Sequence, residues 1–338
     1  MLRLPPFTYV APGSLEEVVE ALHAHGPDAM IVAGGTDLYP NMKRRQFEPK
    51  VLVGLTNVPE LRRIEGTPGT GLTVGAGATR REVSTHPVIR EHYYAVAKAA
   101  GLVSTTPLRN MGTIGGNLCV DPRCNYYNMP FPWRKAVGFC LKKDGDICLV
   151  APGSPRCWAL SSSDLAPVSI ALEAKLRLIG PRGTREVGAD DFYRDDGIDY
   201  LTKEKDEVLT EIRLPPAKGL RTTYWKLRRR GSFDFPLLGV AVALTMDDGE
   251  VTRARLALGA VASRPKEVVE TRELLEGKVP TEADVHAVAD AAFDLAKPLD
   301  NADGHFYWRK RMVRPYVQGA LKEVLRMGPP ESWPREYN

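Results

Sequence analysis

Apolar and polar positions recur with different periods along the chain, and the changes of period mark its organisation. Phe7 to Val10 reads as a short strand. Ser14 with Glu17 three positions on has the form of a capping box, and Leu15, Val18, Val19 and Leu22 recur at helical spacing until Gly26-Pro27 stops them. Ala29 to Ala33 (AMIVA) predicts a buried strand that runs straight into Gly34-Gly35-Thr36-Asp37-Leu38, and Val51 to Leu55 predicts another. Leu72 to Ala76 is strand-like, Thr79 with Glu82 repeats the capping box, and Tyr94 to Ala100 is helical. A second glycine-rich turn, Arg109-Asn110-Met111-Gly112-Thr113-Ile114-Gly115-Gly116-Asn117-Leu118, follows.

Between residues 121 and 160 both periods fade. The aromatic residues Tyr126, Tyr127, Phe131, Trp133, Phe139 and Trp158 nevertheless argue for an ordered segment, and a long structureless loop in a compact domain is usually functional. Alternation then returns over Glu207–Leu214, Thr223–Arg229, Leu237–Met246 and Val251–Val261, with Asp247-Asp248-Gly249-Glu250 as a hairpin signal between the last two. Helices are expected over Pro265–Leu275, then after Thr281 with Val285, Val288, Ala292 and Leu295 on one face, then over His305–Leu325 with Pro315 interrupting. This pattern predicts an α+β chain of three units, residues 1–55, 56–178 (with 121–160 as an insertion) and 179–338. The last is an antiparallel sheet with helices on one face, and its tail from Gly328 to Asn338 reads as an arm.

Composition changes this picture little. With 338 residues, 43% hydrophobic and 26% charged, the chain is an ordinary globular protein of more than one domain. A net charge of +4 spread over this length is no nucleic-acid footprint, and Arg228-Arg229-Arg230 reads as a solvated strand end. The start MLRLPPFTYV has no signal-peptide character, and no apolar run nears the roughly 20 residues of a membrane span. A cytoplasmic protein without nucleic-acid or membrane partners is expected. His286 and His305 are isolated, and no catalytic constellation is visible.

Two features carry chemistry. Glycine turns after a strand expose backbone N–H groups that can cradle phosphate, and two such turns from separate units could close on one pyrophosphate. G-x-G-x-x-G is absent, so FAD is expected rather than a nicotinamide cofactor. Four of the five cysteines, Cys124, Cys140, Cys148 and Cys157, lie in the 121–160 segment with spacing C-x15-C-x7-C-x8-C. In a reducing compartment such a set points to metal before disulfides. Four thiolates suit one 4Fe–4S cluster or one structural zinc, the latter usually showing closely paired cysteines. Cys119 reads as a spare, small buried residue.

The two glycine motifs, in this order, resemble the FAD-binding subunit of the molybdenum hydroxylase family. Ser163-Asp164-Leu165-Ala166-Pro167, Trp225-Lys226-Leu227-Arg228 and Gly259-Ala260-Val261-Ala262-x-Arg264-Pro265 extend the likeness over nearly the whole chain. The resemblance implies a two-part FAD-binding domain of the vanillyl-alcohol-oxidase/p-cresol methylhydroxylase type plus a C-terminal domain with a three- to four-stranded antiparallel sheet and a helical bundle. It implies that Val32, Ala33, Gly34, Gly35, Thr36, Asp37 and Leu38, with Gly112, Thr113, Ile114, Gly115, Gly116 and Asn117, hold FAD, their backbone amides on the pyrophosphate. Asp164 and Lys226 would lie near the ribityl chain or isoalloxazine.

The cysteine insertion, with Cys124-Asn125-Tyr126-Tyr127-Asn128, Trp133-Arg134 and Gly138-Phe139-Cys140-Leu141-Lys142, is similar to that of the dehydroxylating 4-hydroxybenzoyl-CoA reductase branch. That likeness implies Cys124, Cys140, Cys148 and Cys157 as ligands of a 4Fe–4S cluster. It also implies partner subunits carrying 2Fe–2S clusters and the molybdenum cofactor, in a dimer of heterotrimers with ferredoxin as electron donor. Two alternatives stay open: a hydroxylase subunit passing electrons outward from FAD, and an FAD module with a structural zinc loop.

Overall fold

The computed structural model describes residues 3–327, so the expected C-terminal arm from Gly328 lies outside the described residues. The first unit comprises β1 (Thr8–Val10), α1 (Leu15–His25), β2 (Ala29–Val32), α2 (Leu38–Lys43) and β3 (Val51–Gly54). Its strands form a parallel sheet in the order β1-β3-β2. Ser14 caps α1 by accepting from the Glu17 amide. Glu17 bonds the Gly13 amide at 2.7 Å instead of that of Ser14, so only half of the expected capping box forms. Val18 and Leu22 bury their side chains against Val51 and Val53. In β2 only Val32 is buried; Ala29, Met30 and Ile31 are half-buried because they line a cavity, which corrects the expectation of a fully buried strand.

The second unit begins with β4 (Ile64–Thr67) and β5 (Gly71–Gly75). The helices α3 (Arg80–Thr85), α4 (Pro87–His92), α5 (Tyr94–Leu102), α6 (Thr106–Arg109), α7 (Ile114–Leu118), α8 (Phe131–Ala136) and α9 (Leu165–Ala171) follow. Next come β6 (Lys175–Gly180), β7 (Gly183–Gly188) and β8 (Val208–Leu214), and the antiparallel sheet runs β4-β5-β8-β6-β7. Strands on both sides of residue 178 therefore share one sheet, and β8, expected in the C-terminal sheet, pairs with β5 and β6 instead. The boundary drawn at 178 cuts through a single hydrogen-bonded ladder. Thr79 and Glu82 do form both bonds of the capping box.

The third unit is a four-stranded antiparallel sheet of β9 (Leu220–Leu227), β10 (Leu238–Asp247), β11 (Glu250–Gly259) and β12 (Lys266–Glu267), in the order β12-β11-β10-β9. The helices α10 (Glu270–Leu275), α11 (Glu282–Leu295), α12 (Phe306–Arg311) and α13 (Val313–Leu325) complete it. The hairpin at Asp247–Glu250 is as expected. Lys266 and Glu267 pair with β11 as a strand, so the first helix starts later than its apolar spacing predicts. The long final helix breaks at Met312, three residues before Pro315, whose ring would meet the carbonyl of the preceding turn. His305, read as isolated and without a catalytic part, caps α12 by accepting from the Tyr307 amide.

This sheet is covered on both faces, not one. Val240, Val242 and Leu244 of β10 pack with α11 and α13 in one core, whereas Ala241 and Ala243 face a second core with residues of α5 and α9. Strands buried on both faces read as near-continuous apolar runs. The small alanines on one side permit close approach of helices from the FAD-binding part, which seats the C-terminal sheet beside the site.

Candidate functional site: two adjoining cavities

A cavity of about 1100 Å³ opens where the three units meet. That exceeds the roughly 300–1,000 Å³ of ordinary small-ligand pockets and gives room for a dinucleotide. Val32, Ala33, Gly34, Gly35, Thr36, Asp37 and Leu38 all line it, as do Gly112, Thr113, Gly115, Gly116, Asn117 and Asp164. Ile114 does not; its side chain is buried in the core of the second unit. Lys226 also lies off the wall, behind Asp164.

The two glycine turns touch each other. A Cβ on Gly34 would fall 2.0 Å from the Met111 carbonyl oxygen, so only glycine lets the first turn rest on the second. Their amides are not equivalent. Those of Gly35, Thr36 and Asp37 donate to no protein acceptor among the described residues. In the second turn, Ile114, Gly115 and Asn117 donate to the carbonyls of Ala78, Ala76 and Thr113, and Gly116 donates to Thr113 Oγ1. The expectation that both turns present free amides therefore holds for the first turn and, in the second, for Thr113 alone, whose amide donates to no protein acceptor among the described residues. The second contributes a low glycine surface whose own amides fix its shape. Asp37 directs its carboxylate away from the turn, to Arg123 and to Asn41 Nδ2.

Asn117 ties the second turn to the Ser163-Asp164 segment, its Oδ1 accepting from Ser163 Oγ at 2.9 Å and from the Leu165 amide at 3.0 Å. Asp164 is buried; it accepts from Tyr224 Oη at 2.8 Å and pairs with Lys226 Nζ at 3.0 Å. Burial lowers the Lys226 ammonium below its ordinary range, and Asp164 opposes that shift. Lys226 is thus a neutralised cation that fixes Asp164, not a free charge against a flavin.

Sequence reasoning missed Arg80. It lines the cavity and is 6% exposed. Its partners are neutral, Leu108 O at 3.2 Å and Thr36 Oγ1 at 3.5 Å, and its Nε is buried without a partner among the described residues. Burial lowers its pKa to about 10, against the pull of Asp164, so it remains a cation at neutral pH. Gly112 makes room for it, since a Cβ there would lie 1.8 Å from Arg80 Nη2. A signal was present: Arg80 stands three residues before Val83, on the inward face of a capped helix. Free amides on one turn, an under-used buried guanidinium and a cavity of this size fit the pyrophosphate of FAD.

A second, small cavity lies within the insertion, lined by Cys124, Cys140, Cys148 and Cys157 with Tyr126, Tyr127, Leu141, Lys142, Leu149, Val150 and Ala159. The four thiols are free and each side chain is buried. The bridge between Arg123 and Leu160 closes the base of the insertion. The six-residue α8 lies within this segment, which was expected to lack regular structure. Of its aromatic residues only Tyr127 is fully buried, while Phe131 and Trp133 stand at the surface. Order comes equally from Arg134, buried between Phe131 and Phe139 and paired with Asp144. Gln46 Nε2 donates to Tyr127 O at 2.6 Å and docks the segment on the first unit.

The Cys157 sulfur accepts from the Ala159 amide at 3.3 Å, and the amides of Tyr126 and Tyr127 serve Cys124. Burial pushes the Cys124 thiol up to about 11 and that of Cys157 to about 12. These thiols stay neutral until a metal centre replaces the proton. Amide N–H groups aimed at sulfur are the donors that stabilise metal-bound thiolates. Among the described residues no group of three or more Cys, His, Asp or Glu side chains is arranged to hold a metal ion. Cys119, expected in the core, is half-buried on the wall of the large cavity.

Comparison with known proteins agrees with this geometry. Residues 5–217 match the model of the FAD binding domain in molybdopterin dehydrogenase, and residues 222–324 that of the CO dehydrogenase flavoprotein C-terminal domain. The chain is 32% identical to the carbon monoxide dehydrogenase medium chain of Hydrogenophaga pseudoflava, over 94% of this chain and 96% of that one. It is 28% identical to the nicotinate dehydrogenase FAD-subunit of Eubacterium barkeri, over 94% and 95%. The structure of carbon monoxide dehydrogenase from Hydrogenophaga pseudoflava that lacks the Mo-pyranopterin moiety superposes with a TM-score of 0.80 at 30% identity, covering 96% of this chain and 99% of that one. Quinoline 2-oxidoreductase from Pseudomonas putida 86 gives 0.78 at 27%, covering 96% and 100%. With its glycine turns, its buried Asp164 and both matched domains in sequence, the chain belongs to the family of FAD-binding medium subunits of the molybdenum hydroxylases.

Proposed function

We propose that this chain is the FAD and 4Fe–4S subunit of a molybdenum enzyme of the 4-hydroxybenzoyl-CoA reductase kind, passing electrons from a ferredoxin to partner subunits that carry 2Fe–2S and molybdenum centres. The observation that carries the reading is the second cavity: four buried thiols from one insertion, set against the flavin cavity. When bound, FAD supplies a junction between one- and two-electron steps and the cluster a one-electron carrier. The reductive removal of the phenolic hydroxyl belongs to the partner carrying molybdenum, and a cytoplasmic, reducing setting suits free thiols.

The chain's own residues bind and position. Gly35, Thr36 and Asp37 offer amides to a pyrophosphate, and Arg80 supplies its countercharge. Thr113, Gly115 and Gly116 present a surface low enough for close approach. The Tyr224–Asp164–Lys226 group holds a carboxylate fixed at the cavity wall. Cys124, Cys140, Cys148 and Cys157 would hold the cluster.

A second reading, outward flow of electrons from FAD to an acceptor, has the dehydrogenase names of the relatives in its favour. Metal analysis and EPR of the anaerobically reduced complex, co-expressed with its partner subunits, separate these possibilities. Iron with a reduced-cluster signal is expected. Zinc in its place would sink the electron relay, and a cluster potential far above that of the flavin would favour outward flow.

A further inference from the structure

The two cavities share a wall, and one ion pair crosses it. Asp121 lines the larger cavity and Lys142 lines the thiol cavity. Lys142 Nζ lies 2.7 Å from Asp121 Oδ1, with the two side chains only 6% and 9% exposed. The ammonium also donates to Gly197 O, whose residue in turn donates its amide to Cys157 O. It lies 4.9 Å and 5.6 Å from the ring centroids of Tyr127 and Tyr200. Tyr127 belongs to the thiol side and Tyr200 to the larger cavity. A buried pair of this kind rarely adds stability over a well-packed apolar pair, because desolvation offsets the attraction. Its orientation, cation toward the thiols and anion toward the larger cavity, is the feature stability does not explain.

We infer, resting on the reading that the thiols hold a 4Fe–4S cluster, that Lys142 and Asp121 are positioning residues that set the redox poise across this wall. An ammonium fixed beside thiolates in a medium of low polarity favours the more negative, reduced state of whatever they bind. A carboxylate on the other face disfavours added negative charge in the larger cavity. The two opposite charges cancel in part, as at Lys226 and Asp164, so each cavity feels the dipole of the pair, whose field is little screened by salt where it is buried. The dipole therefore raises the potential on the thiol side and lowers it on the flavin side, which narrows the driving force for transfer from cluster to flavin and eases the reverse step.

The test is a redox titration of the assembled complex, with the cluster followed by EPR and the flavin by visible absorbance. In Lys142→Met the ratio of reduced to oxidised cluster at the wild-type midpoint should fall about tenfold, equivalent to about 59 mV for one electron. Iron and FAD contents should be unchanged, and Lys142→Arg should restore the wild-type ratio. Asp121→Asn should move the cluster ratio in the opposite sense and favour reduced flavin. A wild-type midpoint in Lys142→Met with full iron content would overturn the inference while leaving the cluster reading intact. If Lys142→Met loses iron, Asp121→Asn decides, and an unmoved cluster midpoint there overturns the inference. Wild-type complex without iron would instead overturn the reading beneath it.

Discussion

The two cavities are built in opposite ways. The larger one is an assembly: its floor is a turn from the parallel sheet, one wall is the second glycine turn, and Asp164, Phe233 and Phe235 come from further along the chain. No single segment could form it. The thiol cavity is local, with every one of its lining residues between Cys124 and Ala159. The first depends on close approach of separate backbones, hence on glycine and on buried charges that meet only after folding. The second depends on side-chain identity at four positions in one closed loop. The insertion thus reads as a module added to a frame that already holds FAD, and each cavity should fail without emptying the other.

The sharpest break is Cys148→Ser. A cluster held by four thiolates loses a ligand, so bound iron should drop from about four atoms per chain toward none, measured by metal analysis of anaerobic protein. FAD content should stay near one per chain. Loss of FAD in parallel would contradict the modular reading.

Gly34→Val strikes the other cavity. Its side chain would meet the Met111 carbonyl at a distance no real Cβ contact shows, and relieving such overpacking costs about 1–3 kcal/mol. We expect the turns to part, FAD to be lost, and the thermal midpoint to fall, with iron retained.

Arg80→Met tests charge without changing backbone. A hydrogen bond to a charged group contributes about 1.5–3 kcal/mol, so FAD affinity, read by fluorescence during dissociation, should weaken roughly ten- to a hundredfold. The visible iron–sulfur absorption should not change. Equal FAD binding by the variant would remove Arg80 from the site.

The smallest effect belongs far from both cavities. Asp284 accepts from the Thr281 amide and hydroxyl and from Lys278, and these contacts lower its pKa from 3.8 to about 2. Its folded pKa lies below the unfolded one, so its contribution is complete above about pH 4 and is lost as pH falls toward 2. Asp284→Ala should cost about 1 kcal/mol at neutral pH, typical of a lost cap. The gap from wild type, followed by thermal melts, should close over that acid range with FAD and iron contents untouched.

Much of the site was legible because its signals are local. Glycine pairs after a strand and four cysteines in one aperiodic segment are readable without knowing what they touch, whereas Ser163-Asp164 was read only through the family resemblance. Arg80 carried only the weak signal of its spacing to Val83, because its inward direction is set by which face of α3 the core takes. Lys226 was legible as a residue but not in its role, since its charge is cancelled by Asp164, 62 positions away in sequence. The second turn shows the same limit: its glycines predict exposed amides, yet Ala76 and Ala78 take two of them.

By itself, the sequence determined helix α1, several of the main strands, the caps at Thr79 and Thr281, the hairpin at Asp247–Glu250, the two turns and the thiol set. Each follows from short-range backbone preference or from residue chemistry. Only the tertiary structure decided that β8 joins the second sheet, that the C-terminal sheet is buried on both faces, and that Gly34 lies on Met111. It alone set Lys142 against Asp121 across a shared wall. These are pairings between distant segments, chosen by burial and shape over the whole chain, and no local pattern encodes them.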